Sequence, residues 1–135
     1  LRKHVLRQYP RLHTNACGDF TLMAKEDWLR LRGYPELEMY PLHPDSLLCY
    51  MASSAGIREV VMRHPVYHVE HSGGWTPEVE SDKDLRRDLS KAGIPQLTSK
   101  QLGVWAVKMF CERKPIIFNL EDWGLADRDL PETTV

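Results

Sequence analysis

The sequence lacks most of the features that assign a protein to a class at first sight. No apolar run approaches the ~20 residues that a membrane-spanning helix needs, and no signal peptide is visible. Neither charge is in excess, with a formal net charge of −1, which argues against duplex DNA or an anionic membrane as the partner. These absences predict a cytoplasmic protein that binds no nucleic acid.

Cysteine is scarce as well. The three cysteines, Cys17, Cys49 and Cys111, are an odd number, widely spaced, and each lies in an apolar context. This favours buried thiols in a reducing compartment over a disulfide scaffold or a paired-cysteine zinc site. The chain also has no glycine-rich loop that would cradle phosphates and no serine in a nucleophile-elbow motif.

What the sequence does contain is an ordinary soluble composition, with 42% hydrophobic and 27% charged residues in a chain of 135. That length suits one domain with its own core. The chain starts at Leu1, inside the apolar and basic segment "LRKHVLRQY". We expect it to be a piece of a longer protein, although a processed N-terminus would look the same.

Helical patterns alternate with β-rich runs along the chain. Helices are predicted over residues 25–33, 45–55, 82–93 and 98–114, with the end of another at 1–9. Short strands are predicted at 19–23, 58–62, 66–71 and 115–120. This order predicts an α+β or irregular α/β fold.

The stretch "HPDSLLCYMASSAG", residues 43–56, holds the first candidate for chemistry. Asp45 opens its apolar run, and because aspartate is among the best N-caps, capping is the simpler interpretation and catalysis the alternative. His43 is by itself a loop histidine. Asp19 follows Cys17 and Gly18, where glycine lets a backbone or a ligand come close, although a turn residue is again the simpler interpretation.

The second candidate is the stretch "VYHVEHSGGW". His68 and His71 are three apart, so a strand places them on opposite faces and they do not share a metal. His71 ends the face of Tyr67 and Val69, where a neutral imidazole is able to bind a divalent metal; a histidine satisfied at a strand end is the plainer alternative. Trp75 lies in a glycine-rich loop and offers a surface on which a ring can stack.

The order of these segments resembles a known family. "NACGDFTLMAKEDWLRLRGYPE", a polar loop, "HPDSLLCYMASSAG" and "VYHVEHSGG" together resemble the second half of a type-A-fold nucleotide-sugar glycosyltransferase of the family-2 kind, over roughly residues 13–75. The resemblance implies that residues 1–80 form the acceptor- and metal-side part of a nucleotide-diphospho-sugar transferase fold. Residues 81–135 would be a helical C-terminal extension with an acidic tail.

The resemblance also implies roles for individual residues. Asp45 matches the acidic position that heads the next helix, which is the general base in inverting members and more often a binding residue in retaining ones. His71 matches the histidine that reaches the divalent metal, Mn²⁺ or Mg²⁺, on the sugar diphosphate, with His68 as the fallback. Cys17, Gly18 and Asp19 would line the acceptor side of the donor sugar, and "RGYPE" (32–36), which ends in Glu36, matches the turn before the acceptor site. His43 and Trp75 are the further candidates for substrate binding.

The chain departs from the family in two respects. The usual Glu-Asp at the helix start is Pro44-Asp45 here, and no Asp-x-Asp motif stands upstream of residue 13. The expected partners are therefore a nucleotide-sugar donor, a glycan or other hydroxyl acceptor, and a missing N-terminal half, without which this piece is expected to be nearly inert. The alternative is a non-catalytic domain that binds a glycan or a protein through "GGW" and the tail "LEDWGLADRDLPE".

Overall fold

The computed structural model describes residues 12–14, 20–40, 42–67, 83–124 and 129. These residues form four helices and no strand: α1 (Lys25–Leu31), α2 (Pro44–Ser54), α3 (Lys83–Lys91) and α4 (Ser99–Glu112). Each of the four falls within one residue of a predicted helix or inside it, so the helical part of the prediction is confirmed. The helix end expected at residues 1–9 lies outside the described residues.

Local signals explain where α4 begins and where α1 ends. α4 begins after Thr98, whose Oγ1 accepts a hydrogen bond from the Gln101 N–H at 3.2 Å, as an N-cap does. α1 ends at Arg32 and Gly33, which are both left-handed, and the Gly33 N–H donates to the Trp28 carbonyl at 3.0 Å.

The core lies where α2 packs against α4, and α1 also packs against α2. Among the described residues, six large side chains are fully buried: Leu31, Leu47, Leu48, Met51, Leu97 and Met109. Three of them, Leu47, Leu48 and Met51, come from the apolar run of α2. The division into parts 1–80 and 81–135 stays a prediction, but both parts contribute side chains to this one core.

The predicted strands do not form in the described residues. The segments 20–23, 58–62 and 115–120 run without a ladder, and the β-contact that the described residues make is an isolated parallel bridge between Tyr40 and Gln96. A mixed α+β fold and a transferase fold are therefore not confirmed. The physical reason is that β-rich residues form a strand only beside a partner strand, and the described part of the chain offers none.

Candidate functional site

The prediction that Asp45 caps α2 is wrong. His43 occupies the N-cap position and Pro44 is the first helical residue, because the fixed φ of proline and its missing N–H suit that position. Asp45 follows in the first turn, where a carboxylate complements the helix dipole. Its Oδ1 accepts a hydrogen bond from the Ser46 N–H at 2.8 Å.

His43, two residues before Asp45, is held in an unfavourable state. Its backbone is left-handed, with φ 66° and ψ 18°, which is uncommon for a residue other than glycine. Its Nε2 is buried and has no hydrogen-bond partner among the described residues. Both features cost free energy, and strained backbone of this kind clusters at functional sites.

Packing makes the start of α2 rigid. Leu47 and Leu48 are buried in the core, and the Leu47 N–H donates to the His43 carbonyl at 3.0 Å. The loop before the helix is fixed where the Tyr40 N–H donates to the Pro95 carbonyl at 2.8 Å. The strained His43 is therefore supported from both sides.

Glu36, another predicted substrate-binding residue, lies in a turn that we define as residues 32–36. The buried Asn119 side chain binds the backbone of this turn at three points. Its Nδ2 donates to the carbonyls of Arg32 at 2.6 Å and of Tyr34 at 2.7 Å, and its Oδ1 accepts from the Glu36 N–H at 2.8 Å. The Arg32 Nη1 donates in return to the Asn119 carbonyl at 2.9 Å.

The segment 119–124, which we call the strap, continues along the same turn. The Gly124 N–H donates to Glu36 Oε1 at 2.8 Å. The Trp123 ring packs so closely on Gly33 that a Cβ at that position would lie 2.7 Å from Trp123 Cζ3. Sequence reasoning missed the strap, since its signal was a lone asparagine inside the apolar run "PIIFNL".

A separate cleft of about 630 Å³ lies on the side of α2 that faces residues 20–24 and 57–67. Its lining is mainly apolar, with His13, Asp27, Cys49, Glu59 and His64 among its polar residues. The His13 N–H donates to Glu59 Oε2 at 2.8 Å. The candidates Asp45, His43 and Glu36 are not among the described residues that line this cleft.

The remaining candidates lie outside the described residues: Cys17, Gly18, Asp19, His68, His71 and Trp75. Within the described ranges no three histidine, cysteine, aspartate or glutamate side chains come close enough together to hold a metal ion. The described residues alone therefore provide no complete Mn²⁺ or Mg²⁺ site, and the predicted ligand His71 lies outside them. In the same part of the chain, no helix has the length and apolar character needed to cross a membrane.

Comparisons with known proteins identify no relative of this chain. Family models, curated protein sequences and solved structures all give no match to this chain.

Proposed function

We propose that this chain is the acceptor-side half of a metal-dependent glycosyltransferase, which transfers a sugar from a nucleotide-sugar donor to a hydroxyl group of a glycan or lipid-linked acceptor. The observation that supports this proposal is the start of α2. A strained His43 with an unpaired buried nitrogen stands two residues before Asp45, the carboxylate that the resemblance makes the general base. Strain of this kind concentrates at functional sites. A cytoplasmic location is part of the proposal.

The proposed chemistry assigns one proton transfer to Asp45. Its carboxylate accepts the proton of the acceptor hydroxyl while the oxygen attacks the anomeric carbon and the nucleoside diphosphate leaves. His43 and Glu36 bind the acceptor in this scheme. In this scheme His71 would hold a divalent metal, whose charge would neutralise that of the leaving diphosphate.

The exposed β-rich segments support the idea of a missing half. Val60, Val61, Met62, Val66 and Tyr67 are each more than half exposed. Consecutive apolar residues such as Val60 and Val61 are typical of a strand buried on both faces, as in the parallel sheets of α/β proteins. In the proposal, the donor-binding half provides the sheet that covers them.

The experiment that tests this function replaces Asp45 by asparagine in the complete protein, in which the donor-binding half is present. We expect nucleoside diphosphate release from UDP- and GDP-sugars to fall at least ~100-fold, because loss of a general base typically costs 10²–10⁴. Stability should change little, since asparagine keeps an oxygen that can accept the Ser46 N–H.

The matched control is Asp88→Asn, which removes an exposed carboxylate from α3, 3.7 Å from the Lys91 ammonium. That variant should keep full turnover. Normal turnover and normal folding of Asp45→Asn would reduce Asp45 to a structural residue of the first turn of α2.

The cleft favours a second candidate function, a non-catalytic binding domain. Its mainly apolar lining and the exposed side chains of residues 60–67 suit an apolar segment of a partner protein. A domain of this kind would bind its partner without a nucleotide-sugar or a divalent metal, so donor binding separates the two functions.

A further inference from the structure

The contacts between the strap and the turn assign a role to a residue that the sequence did not single out. We infer that Asn119 is a positioning residue for the acceptor side of the site: it fixes the turn 32–36 and, through it, Glu36. This inference rests on the proposed function, in which the turn precedes the acceptor site and Glu36 binds the acceptor.

The chemistry of the contact requires an asparagine. One side chain must donate to two carbonyls, those of Arg32 and Tyr34, while it accepts from the Glu36 N–H. An aspartate of the same size keeps the acceptor and loses both donors, and an apolar side chain provides neither. Asn119 is 7% exposed, so water does not readily replace these bonds.

The strap fixes Glu36 at two points. Asn119 holds its backbone N–H, and the Gly124 N–H, five residues further along the strap, holds its carboxylate at 2.8 Å. The close contact of the Trp123 ring with Gly33 also holds the strap against the turn. The direction of the Glu36 side chain therefore depends on the strap, although Asn119 itself contacts no substrate.

The first test compares two reactions of the complete protein: sugar transfer to p-nitrophenyl glycoside acceptors, and hydrolysis of the same UDP- or GDP-sugar by water. In Asn119→Asp we expect transfer to fall at least ~10-fold, since small displacements of positioning groups cost up to 10²-fold. Hydrolysis needs no positioned acceptor and should stay within about threefold of the parent, a split that general destabilisation would not produce.

The matched control is Gln96→Glu. Gln96 is also a partly buried amide that donates to a backbone carbonyl, that of Arg86 at 3.0 Å, but its side-chain partners, Arg86 and Ser90, lie outside the turn. This variant loses the same kind of bond and should keep the parent ratio of transfer to hydrolysis.

The second test needs no activity: amide hydrogen exchange of residues 32–36 in the 135-residue chain. We expect about tenfold faster exchange in Asn119→Asp and parent rates in Gln96→Glu, because opening of the turn no longer breaks the same bonds. Unchanged exchange, or an equal fall of transfer and hydrolysis, would overturn the inference. Absence of both reactions with every donor would instead refute the proposed function, and the positioning role would fall with it even if exchange had changed.

Discussion

Replacing Gly33 by alanine tests the contact on which the turn and strap depend. Gly33 has φ +67°, and an added Cβ would lie 2.7 Å from Trp123 Cζ3 and 3.3 Å from two further ring atoms. Gly93 provides a matched control: its φ is +70°, and a Cβ there would meet nothing within 4 Å. The two variants share the backbone penalty and differ in the contact with Trp123.

The expected cost follows from these two terms. A left-handed conformation costs a residue with a Cβ about 1–2 kcal/mol, which both variants lose. Overpacking against a ring that must move adds about 1–3 kcal/mol, which Gly33→Ala alone loses. We therefore expect Gly33→Ala to lower the free energy of unfolding by about 2–5 kcal/mol and Gly93→Ala by about 1–2 kcal/mol.

The assay is urea unfolding of the 135-residue chain, followed by far-UV circular dichroism, for the parent and both variants. Tryptophan emission of folded Gly33→Ala should also shift, because Trp123 is displaced. Equal losses of stability in the two variants would contradict this prediction, because they would show that a Cβ at Gly33 does not clash with the Trp123 ring.

Two further predictions concern a metal and a proton. In the complete protein, we expect His71→Ala to weaken apparent Mn²⁺ affinity about tenfold or more, by analogy with ligand-shell changes. His68→Ala should do much less, because the predicted strand would turn its side chain to the opposite face. A metal titration of the transfer rate checks this, and an effect of His68→Ala alone would move the ligand to His68. Burial raises the pKa of the Tyr50 phenol above 10.0, and Cys49 adds to the shift. Because the folded state favours the neutral phenol, Tyr50 contributes its full stabilisation of the fold below pH 10. This contribution is lost as the pH rises through the raised pKa. Urea midpoints should fall less steeply above pH 10 in Tyr50→Phe than in the parent, and identical slopes would contradict this.

The helices were predictable because their signals are local. Leu47, Leu48 and Met51 follow helical spacing within one segment, and Gly56 supplies the left-handed residue just past its end. The Thr98 cap likewise needs a partner only three residues away. Such features depend on residues that are close in the sequence, so the sequence alone predicts them.

The strands and the strap depend on residues far apart, and there the sequence was a weaker guide. The β-rich run at 58–62 was predicted as a strand from its composition, but a strand also needs a partner that composition does not reveal. Asn119 donates a hydrogen bond to Arg32, which lies 87 residues earlier in the chain, and no pattern near Asn119 indicates this partner. The left-handed His43 was missed because the pattern of a good N-cap pointed to Asp45.

A titration of nucleotide-sugars, in the presence of Mn²⁺, into the complete protein and into the 135-residue chain tests whether this chain is the acceptor-side half of a transferase. We expect the complete protein to bind at least one UDP- or GDP-sugar in a metal-dependent way and the chain alone to bind none tightly. Micromolar binding by the chain alone would contradict the assignment as an acceptor-side half. Failure of the complete protein to bind any nucleotide-sugar would contradict the transferase itself and favour the binding domain.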